Sequence, residues 1–395
     1  MANSDRLCDR FAPVLLITVA LAGAYRRQMP AVALAIILLC ALLLTRFWSR
    51  RALCAIQYSR QFSPERAFPG DELVFTARLA NHKLLPLPWV EVEEKVSWPQ
   101  GAVSVVEPVD TPPSTGELRM AGSVSWHEQV AWRYRILCRK RGIFQLGPAK
   151  ITSGDPFGFF PRSSRVSNEE KLIVYPRLIP IDQLDLPAGF PMGDTRAERW
   201  IFEDPSRMVG VREYRPEDSL RRIHWKATAR RQQLQVKLQE PATTVEVAIF
   251  LATDTFDSAE AFEHAVSVSA SMAHILSERR LPAGLYINGG FSGSRSPMEI
   301  SPGRSEEQLT AILEALAGVE ATSCVPTAQY LPEAVGRLPW GSSVILVAGG
   351  LADALLEALR DLRDTGHRPM VVLAEDSGQG EDQYGIPVFR VGTGC

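Results

Sequence analysis

The chain has 395 residues, of which 46% are hydrophobic and 22% charged, the composition of a folded protein of roughly two to three domains. Its 43 Lys and Arg against 45 Asp and Glu leave a formal charge of -2, so no global basic field draws it onto nucleic acid. The six cysteines, Cys8, Cys40, Cys54, Cys138, Cys324 and Cys395, contain no C-x-x-C pair, which argues against a disulfide framework and a structural zinc site and for a reducing compartment.

Phe11 to Tyr25 and Met29 to Thr45 carry no charge and are separated only by Arg26, Arg27 and Gln28. This predicts a transmembrane helical hairpin as a membrane anchor over residues 1–57. Each run falls short of the ~20 residues that cross a bilayer, but Arg10, Arg26, Arg27 and Arg46 can snorkel and lengthen the spans. The rival reading is a cleaved signal peptide, since Arg6 and Arg10 precede the first run and Ala20-Leu21-Ala22 resembles a cleavage site; the second run then still spans. Arg6 and Arg10 before the hairpin, with Arg46, Arg50, Arg51 and Arg60 after it, outnumber the loop arginines. The positive-inside rule therefore places both flanks, and the soluble domains, on the cytoplasmic side of the inner (cytoplasmic) membrane.

Residues 58–180 show period-two alternation in Leu73–Leu79, Val90–Val96 and Val130–Ile136, punctuated by Pro69-Gly70-Asp71, Pro86-Leu87-Pro88, Pro112-Pro113 and Arg141-Gly142. Short alternating strands between turn residues predict an antiparallel, immunoglobulin-like β-sandwich. His82 and His127 read as surface or turn residues. The aromatics of Asp155-Pro156-Phe157-Gly158-Phe159-Phe160 read as a hydrophobic plug between domains.

Residues 181–240 read as an irregular connector, with Pro and Gly scattered from Ile181 to Val209, followed by an Arg-rich motif. Arg207 to Arg231 interleaves cations with Tyr214, His224 and Trp225, and Asp218 or Ser219 is placed to cap a short helix with Ile223 and Ala227 on one side. The candidate site residues are Arg212, Tyr214, Asp218, Arg221, His224, Trp225, Lys226 and Arg230. Their chemistry fits a charged connector, a partner-docking surface or an anion site, because Arg forks grip planar anions. The chain lacks the G-x-x-x-x-G-K-[ST] pattern of a nucleotide-binding loop.

In residues 241–395 strands and helices alternate. Val245–Leu251 reads as a strand and leads into a helix capped by Asp257 with Glu260. Ala283–Asn288 precedes a helix capped by Ser305 with Gln308, and Ser343–Ala348 precedes a helix from Leu351 to Thr365, with Met370–Leu373 as a further strand. This predicts a doubly wound α/β domain whose ligands would bind beyond the carboxyl ends of the strands, near Asp254, Gly289-Gly290 and Gly349-Gly350.

The run Arg212-Glu-Tyr214-Arg-Pro-Glu-Asp218-Ser-Leu-Arg221-Arg-Ile223-His-Trp225-Lys-Ala-Thr-Ala-Arg230, with Asp155-Pro-Phe-Gly158 and Val174-Tyr-Pro-Arg177, resembles the bacterial membrane proteins known as domain of unknown function fifty-eight. Glu217 departs from the Gly that usually precedes the Asp. The resemblance covers most of the chain and implies a C-terminal domain similar to von Willebrand factor type A domains. Such domains commonly hold Mg²⁺ through D-x-S-x-S, a distant Thr and a later Asp. Here Phe256 stands for the first Ser of Asp254-Thr-Phe256-Asp257-Ser258, and Ala348-Gly349-Gly350 carries no Asp, so no metal and no cofactor are expected; Thr327 is a candidate for the distant Thr. The resemblance further implies a MoxR-type AAA ATPase as partner. The expected function is a non-enzymatic, membrane-anchored adaptor without catalytic residues. The alternative is an enzyme or binding protein that takes an anionic substrate or lipid head group through the Arg-rich motif, with His224 as acid or base.

Overall fold

The structure is a computed structural model that describes residues 2–97, 102–107, 117–180, 202–215, 223–242, 246–291, 294, 296–374 and 385–392. It divides into two compact units, Met1–Val174 and Tyr175–Cys395.

The first unit opens with α1 (Ala2–Tyr25) and α2 (Met29–Ala52). They are joined by a turn in which Arg26 N–H donates to the Ala22 carbonyl at 3.0 Å and Gln28 N–H to that of Gly23 at 2.9 Å. Leu34, Ile36, Ile37, Leu38, Leu43 and Leu44 of α2 are all exposed, an outward apolar surface of the kind that marks a membrane or partner contact. Among the described residues α2 is the one helix long and apolar enough to cross a membrane; the apolar part of α1, Pro13–Tyr25, is shorter.

Ten strands follow: β1 (Ile56–Ser63), β2 (Arg66–Ala67), β3 (Glu72–Asn81), β4 (Leu87–Ser97), β5 (Val103–Glu107), β6 (Glu117–Val124), β7 (Gln129–Cys138), β8 (Gly142–Ser153), β9 (Arg162–Val166) and β10 (Glu170–Val174). One sheet has the order β1-β3-β7-β5 and the other β2-β10-β8-β4-β6, with β9 added on β8. Every pairing is antiparallel except the short one between β2 and β10. The alternation that marks these strands in the sequence places Leu73, Phe75, Ala77 and Leu79 of one sheet in the same buried cluster as Val90, Val92, Leu146 and Leu172 of the other. His82 and His127 are exposed, as expected.

A charged group crosses this core. Glu94 is fully buried and stands in phase with Val90 and Val92 on β4, not with the outward Glu91 and Glu93. Its Oε2 accepts from Arg60 Nη1 at 2.6 Å and its Oε1 from the Tyr58 hydroxyl, both on β1 of the opposite sheet. Burial, reinforced by the Glu94 carboxylate, pushes the Tyr58 hydroxyl well above its ordinary range.

The second unit begins with β11 (Phe202–Glu213), α3 (Trp225–Arg231) and β12 (Gln235–Ala242), in which β11 and β12 pair antiparallel and flank the helix. The irregular stretch expected up to Val209 is thus a strand from Phe202 onward; residues 181–201 lie outside the described residues. Then come β13 (Val247–Leu251), α4 (Ala259–Glu278), β14 (Ala283–Ile287), β15 (Gly289–Phe291), β16 (Met298–Gly303), α5 (Glu306–Gly318), β17 (Val319–Ser323), α6 (Thr327–Val335), β18 (Ser343–Ala348), α7 (Asp353–Asp364), β19 (Arg368–Leu373) and β20 (Val388–Arg390). The sheet order is β16-β14-β13-β18-β19-β20, parallel except for β16. Ala248, Phe250, Val344 and Leu346 share a core with Leu331 of α6 and Leu359 of α7. The alternate residues Val247, Ile249 and Leu251 are buried on the other face, against which α4 packs. Helix α4 starts one residue later than the Asp257–Glu260 box suggests, because Ser258 Oγ accepts from Ala261 N at 3.1 Å. Ser305 precedes α5 without a side-chain cap, since Gln308 instead donates to the carbonyls of Ala283 and Ser301, at 2.8 Å each.

Removing one partner of a desolvated ion pair leaves the other charge buried alone, so Glu94→Ala should cost about 3–5 kcal/mol. The check is the denaturant midpoint of the detergent-solubilised protein, and an unchanged midpoint would show that Arg60 reaches water.

Candidate functional site

Two places merit a functional reading, and the first is the Arg-rich motif. The chain leaves β11 at Glu213, and Tyr214 N–H donates to the Leu234 carbonyl at 2.9 Å. Residues 216–222, including the expected site residues Asp218 and Arg221, lie outside the described residues. The chain re-enters at Ile223, which bridges to Val236 and is buried with it, and His224 N–H donates to the Gln235 carbonyl at 2.7 Å.

The helix differs from the one expected. Its cap is His224, whose Nδ1 accepts from Ala227 N at 3.0 Å, and Ile223 belongs to the sheet bridge; the cap expected at Asp218 or Ser219 lies outside the described residues. It ends at Gln232 in the left-handed conformation, φ 55°, and Thr228 Oγ1 accepts from Gln235 N at 3.0 Å, which pins the helix to β12. Helix α3 has no buried residue. Trp225 is 69% exposed, Lys226, Arg230 and Arg231 are exposed, and His224, Lys226, Ala227, Arg230 and Arg231 line a cavity of about 210 Å³. Tyr214 is half-buried, and Arg212, also half-buried, donates from Nη1 to the Glu213 carbonyl at 3.1 Å. Of the expected residues the structure therefore brings His224, Trp225, Lys226 and Arg230 onto one short helix, with Tyr214 and Arg212 on the strand end beside it.

This arrangement is poor for acid–base catalysis. The Nδ1 lone pair of His224 is engaged by the backbone, and among the described residues no carboxylate hydrogen-bonds to the ring. An exposed Trp among exposed cations suits binding better, because an indole face and Arg forks are the groups that contribute most when a surface is covered.

The second place is the switch point of the sheet, between the carboxyl ends of β13 and β18, whose neighbours run in opposite directions from there. Asn288, just past β14, is its hub. Buried to 1% exposure, it accepts on Oδ1 from Thr253 N at 2.8 Å and Thr253 Oγ1 at 3.0 Å, and donates from Nδ2 to Asp254 Oδ1 at 3.1 Å and to the Val325 carbonyl at 2.9 Å. Asp254 also accepts from Thr327 N at 2.8 Å and from the Thr327 hydroxyl, so the Thr327 suggested by the resemblance does meet Asp254. Asn288 ends the expected strand Ala283–Asn288, and the one sequence signal of its role is a polar residue directly after an apolar run.

The donors here do not fit a hard cation. Ser258 Oγ is engaged in capping α4, and Phe256 replaces a hydroxyl with a ring that packs edge-on against Phe262. That ring also fills the space beside Gly349, where an added Cβ would come within 2.8 Å of Phe256 Cδ1. Asp254 is the one carboxylate here and both of its oxygens already accept from Asn288 and Thr327, and the described residues hold no cluster of three His, Cys, Asp or Glu. The network instead ties the loops after β13 and β14 to the start of α6.

Together these features define a chain with an apolar N-terminal helix, a two-sheet unit, and an α/β unit that carries a basic hairpin ahead of its sheet. Residues 210–376, from within β11 through β19, match the family model described as Protein of unknown function DUF58, so this part of the chain belongs to the DUF58 family. It is 25% identical over 324 residues to the uncharacterized protein YeaD of Bacillus subtilis, covering 82% of this chain and 76% of that one. Among solved structures it is similar to a CARDB domain from Pyrococcus furiosus (9% identity, 30% of this chain and 85% of that chain, TM-score 0.19). A second is the PapD-like domain 7 of human CEP192 (14% identity, 30% and 86%, TM-score 0.17). Overlaps this small carry no argument about the fold.

Two measurements check the switch point. Melting temperature should be the same in millimolar Mg²⁺ and in chelator, since a bound ion would raise it by mass action. Thr327→Val should cost about 1–3 kcal/mol through the unsatisfied Asp254 oxygen; a rise of melting temperature with Mg²⁺ would overturn the reading of the donors.

Proposed function

We propose that the protein is a membrane-anchored, non-enzymatic adaptor of the cytoplasmic membrane, held by α1 and α2 as a hairpin with its soluble units in the cytoplasm. In this reading the two-sheet unit is an immunoglobulin-like sandwich and the α/β unit a type A-like interaction domain that works with a MoxR-type AAA ATPase in assembly or maturation of client proteins. The observation that carries it is α3: a helix with no buried residue, presenting Trp225 at 69% exposure between exposed Lys226, Arg230 and Arg231. A short helix with no core contact of its own contributes little to stability, and its composition is that of an interface centre, enriched in Trp and Arg. The partner it fits is a surface with carboxylates around an apolar pocket. The engaged Nδ1 of His224 and the incomplete oxygen set at Asp254 both favour binding over chemistry.

A mild-detergent pull-down compares the full-length protein with a Trp225→Ala/Arg230→Ala variant. Both side chains are exposed, so the variant should melt within about 0.5 kcal/mol of wild type. The expected outcome is an AAA ATPase recovered with wild type and lost with the variant. Recovery of both proteins alone, or equal recovery of the ATPase, would count against docking through α3.

A further inference from the structure

The loop after β8 is built around one carboxylate. Asp155 is fully buried; its Oδ2 accepts from Phe157 N at 3.1 Å and Phe159 N at 3.3 Å, and its Oδ1 from Phe160 N at 2.7 Å. Trp89 Nε1 donates to its carbonyl at 2.9 Å, and Gly158 turns the chain at φ 74°. With both oxygens and the carbonyl engaged, the loop is rigid, and it presents two rings outward. Phe157 and Phe159 are 70% and 71% exposed and stack on each other with centroids 5.8 Å apart. Within the first unit they face outward and are not part of its core.

The same loop is fastened to α2. Ser49 Oγ donates to the Phe160 carbonyl at 2.6 Å, and the Arg46 guanidinium lies 5.4 Å from the centre of the Phe160 ring. Arg46 is the first charge after the uncharged run Met29 to Thr45, so it marks the level at which α2 would leave the hydrocarbon. Ser49 is about one turn further on. A loop fastened there would hold the exposed phenylalanines near the depth of the head-group boundary, and on α2 itself Phe47 is 54% exposed with Arg51 over its ring at 5.3 Å. Phenylalanines here would meet the acyl edge while Arg46, Arg50, Arg51 and, past the loop, Arg162 meet phosphates. A second apolar tip lies on the same side: Lys83 Nζ donates to the carbonyls of Ala52 and Cys54 at the end of α2, and the neighbouring Leu84 is 75% exposed.

We propose that the Asp155–Phe160 loop is a bilayer-seating element, in which Phe157 and Phe159 insert at the head-group boundary of the membrane that α2 spans and so fix the two-sheet unit against it. The occupant is an anionic lipid surface because the charges that end α2 and follow the loop, Arg46, Arg50, Arg51 and Arg162, are cationic and the one acid of the loop, Asp155, is buried and fully hydrogen-bonded. This inference rests on the reading of α2 as a span.

The experiment reconstitutes the full chain into phosphatidylcholine–phosphatidylglycerol vesicles with p-benzoylphenylalanine at one position at a time, and identifies photoadducts by mass spectrometry. Position 159 (Phe159) tests the loop, position 38 (Leu38, in the apolar run) tests the span, and position 140 (Lys140), roughly 30 Å away at the far end of β7, is the control. Phospholipid adducts at 159 and 38 and none at 140 are expected. An adduct at 159 to the protein's own chain or to a second copy, no adduct there, or equal lipid labelling at 140 would overturn the seating loop while labelling at 38 leaves the span standing. No lipid adduct at 38 would remove the span and the seating loop together.

Discussion

A polar group taken out of water must have its hydrogen bonds replaced, and the layout of this protein follows from three residues that meet this requirement inside the fold. Glu94 is satisfied from the opposite sheet by Tyr58 and Arg60, Asp155 by the backbone of its own loop, and Asn288 by Thr253, Asp254 and Val325. Each is at most 1% exposed. In each case the alternative is an uncompensated buried dipole or charge costing several kcal/mol, so the partner segments have little freedom to be elsewhere. Apolar burial drives the sheets together, while these groups decide which strand meets which and in what register.

The same rule separates scaffold from surface. Around Asn288 the polar groups point inward and satisfy each other, which leaves a rigid clasp at the position where α/β sheets usually hold a ligand. On α3 the side chains of His224, Thr228 and Arg231 bond within the hairpin, while Trp225, Lys226 and Arg230 are exposed. The sheet apex is thus committed to structure, and the hairpin ahead of the sheet carries the exposed cations. The family match begins at residue 210, so it takes in this hairpin together with the sheet.

In the first unit, α2 is joined to the strands by more than chain continuity. Ser49 and Arg46 engage Phe160, and Lys83 engages the carbonyls that end the helix. Burial near those carbonyls lowers the affinity of the Lys83 ammonium for its proton relative to a free lysine, yet a cation at a helix C-terminus also complements the dipole there. A helix held this way transmits orientation to the strands, whereas one on a flexible linker would transmit only proximity.

What the sequence determined by itself was the set of elements with a strong period. Leu73–Leu79 and Val130–Ile136 alternate, so they are strands with one buried face, and Val247–Leu251 and Ser343–Ala348 are apolar throughout because parallel strands are covered on both faces. The apolar run of α2 was legible for the same reason, and so were the basic character of the motif around α3 and the departures from a D-x-S-x-S metal pattern. Glu94 was half legible, since it stands at an apolar position in the alternation of β4. The sequence did not disclose that His224 caps α3, that Phe202–Glu213 is a strand, or that Phe157 and Phe159 face outward from a loop fastened to α2. Each of these depends on which distant group supplies a hydrogen bond or a wall, as the Gln235 carbonyl does for His224 and the Ser49 hydroxyl for Phe160. Periodicity records which face of an element is dry; only the assembled fold decides what that face, or its opposite, is set against.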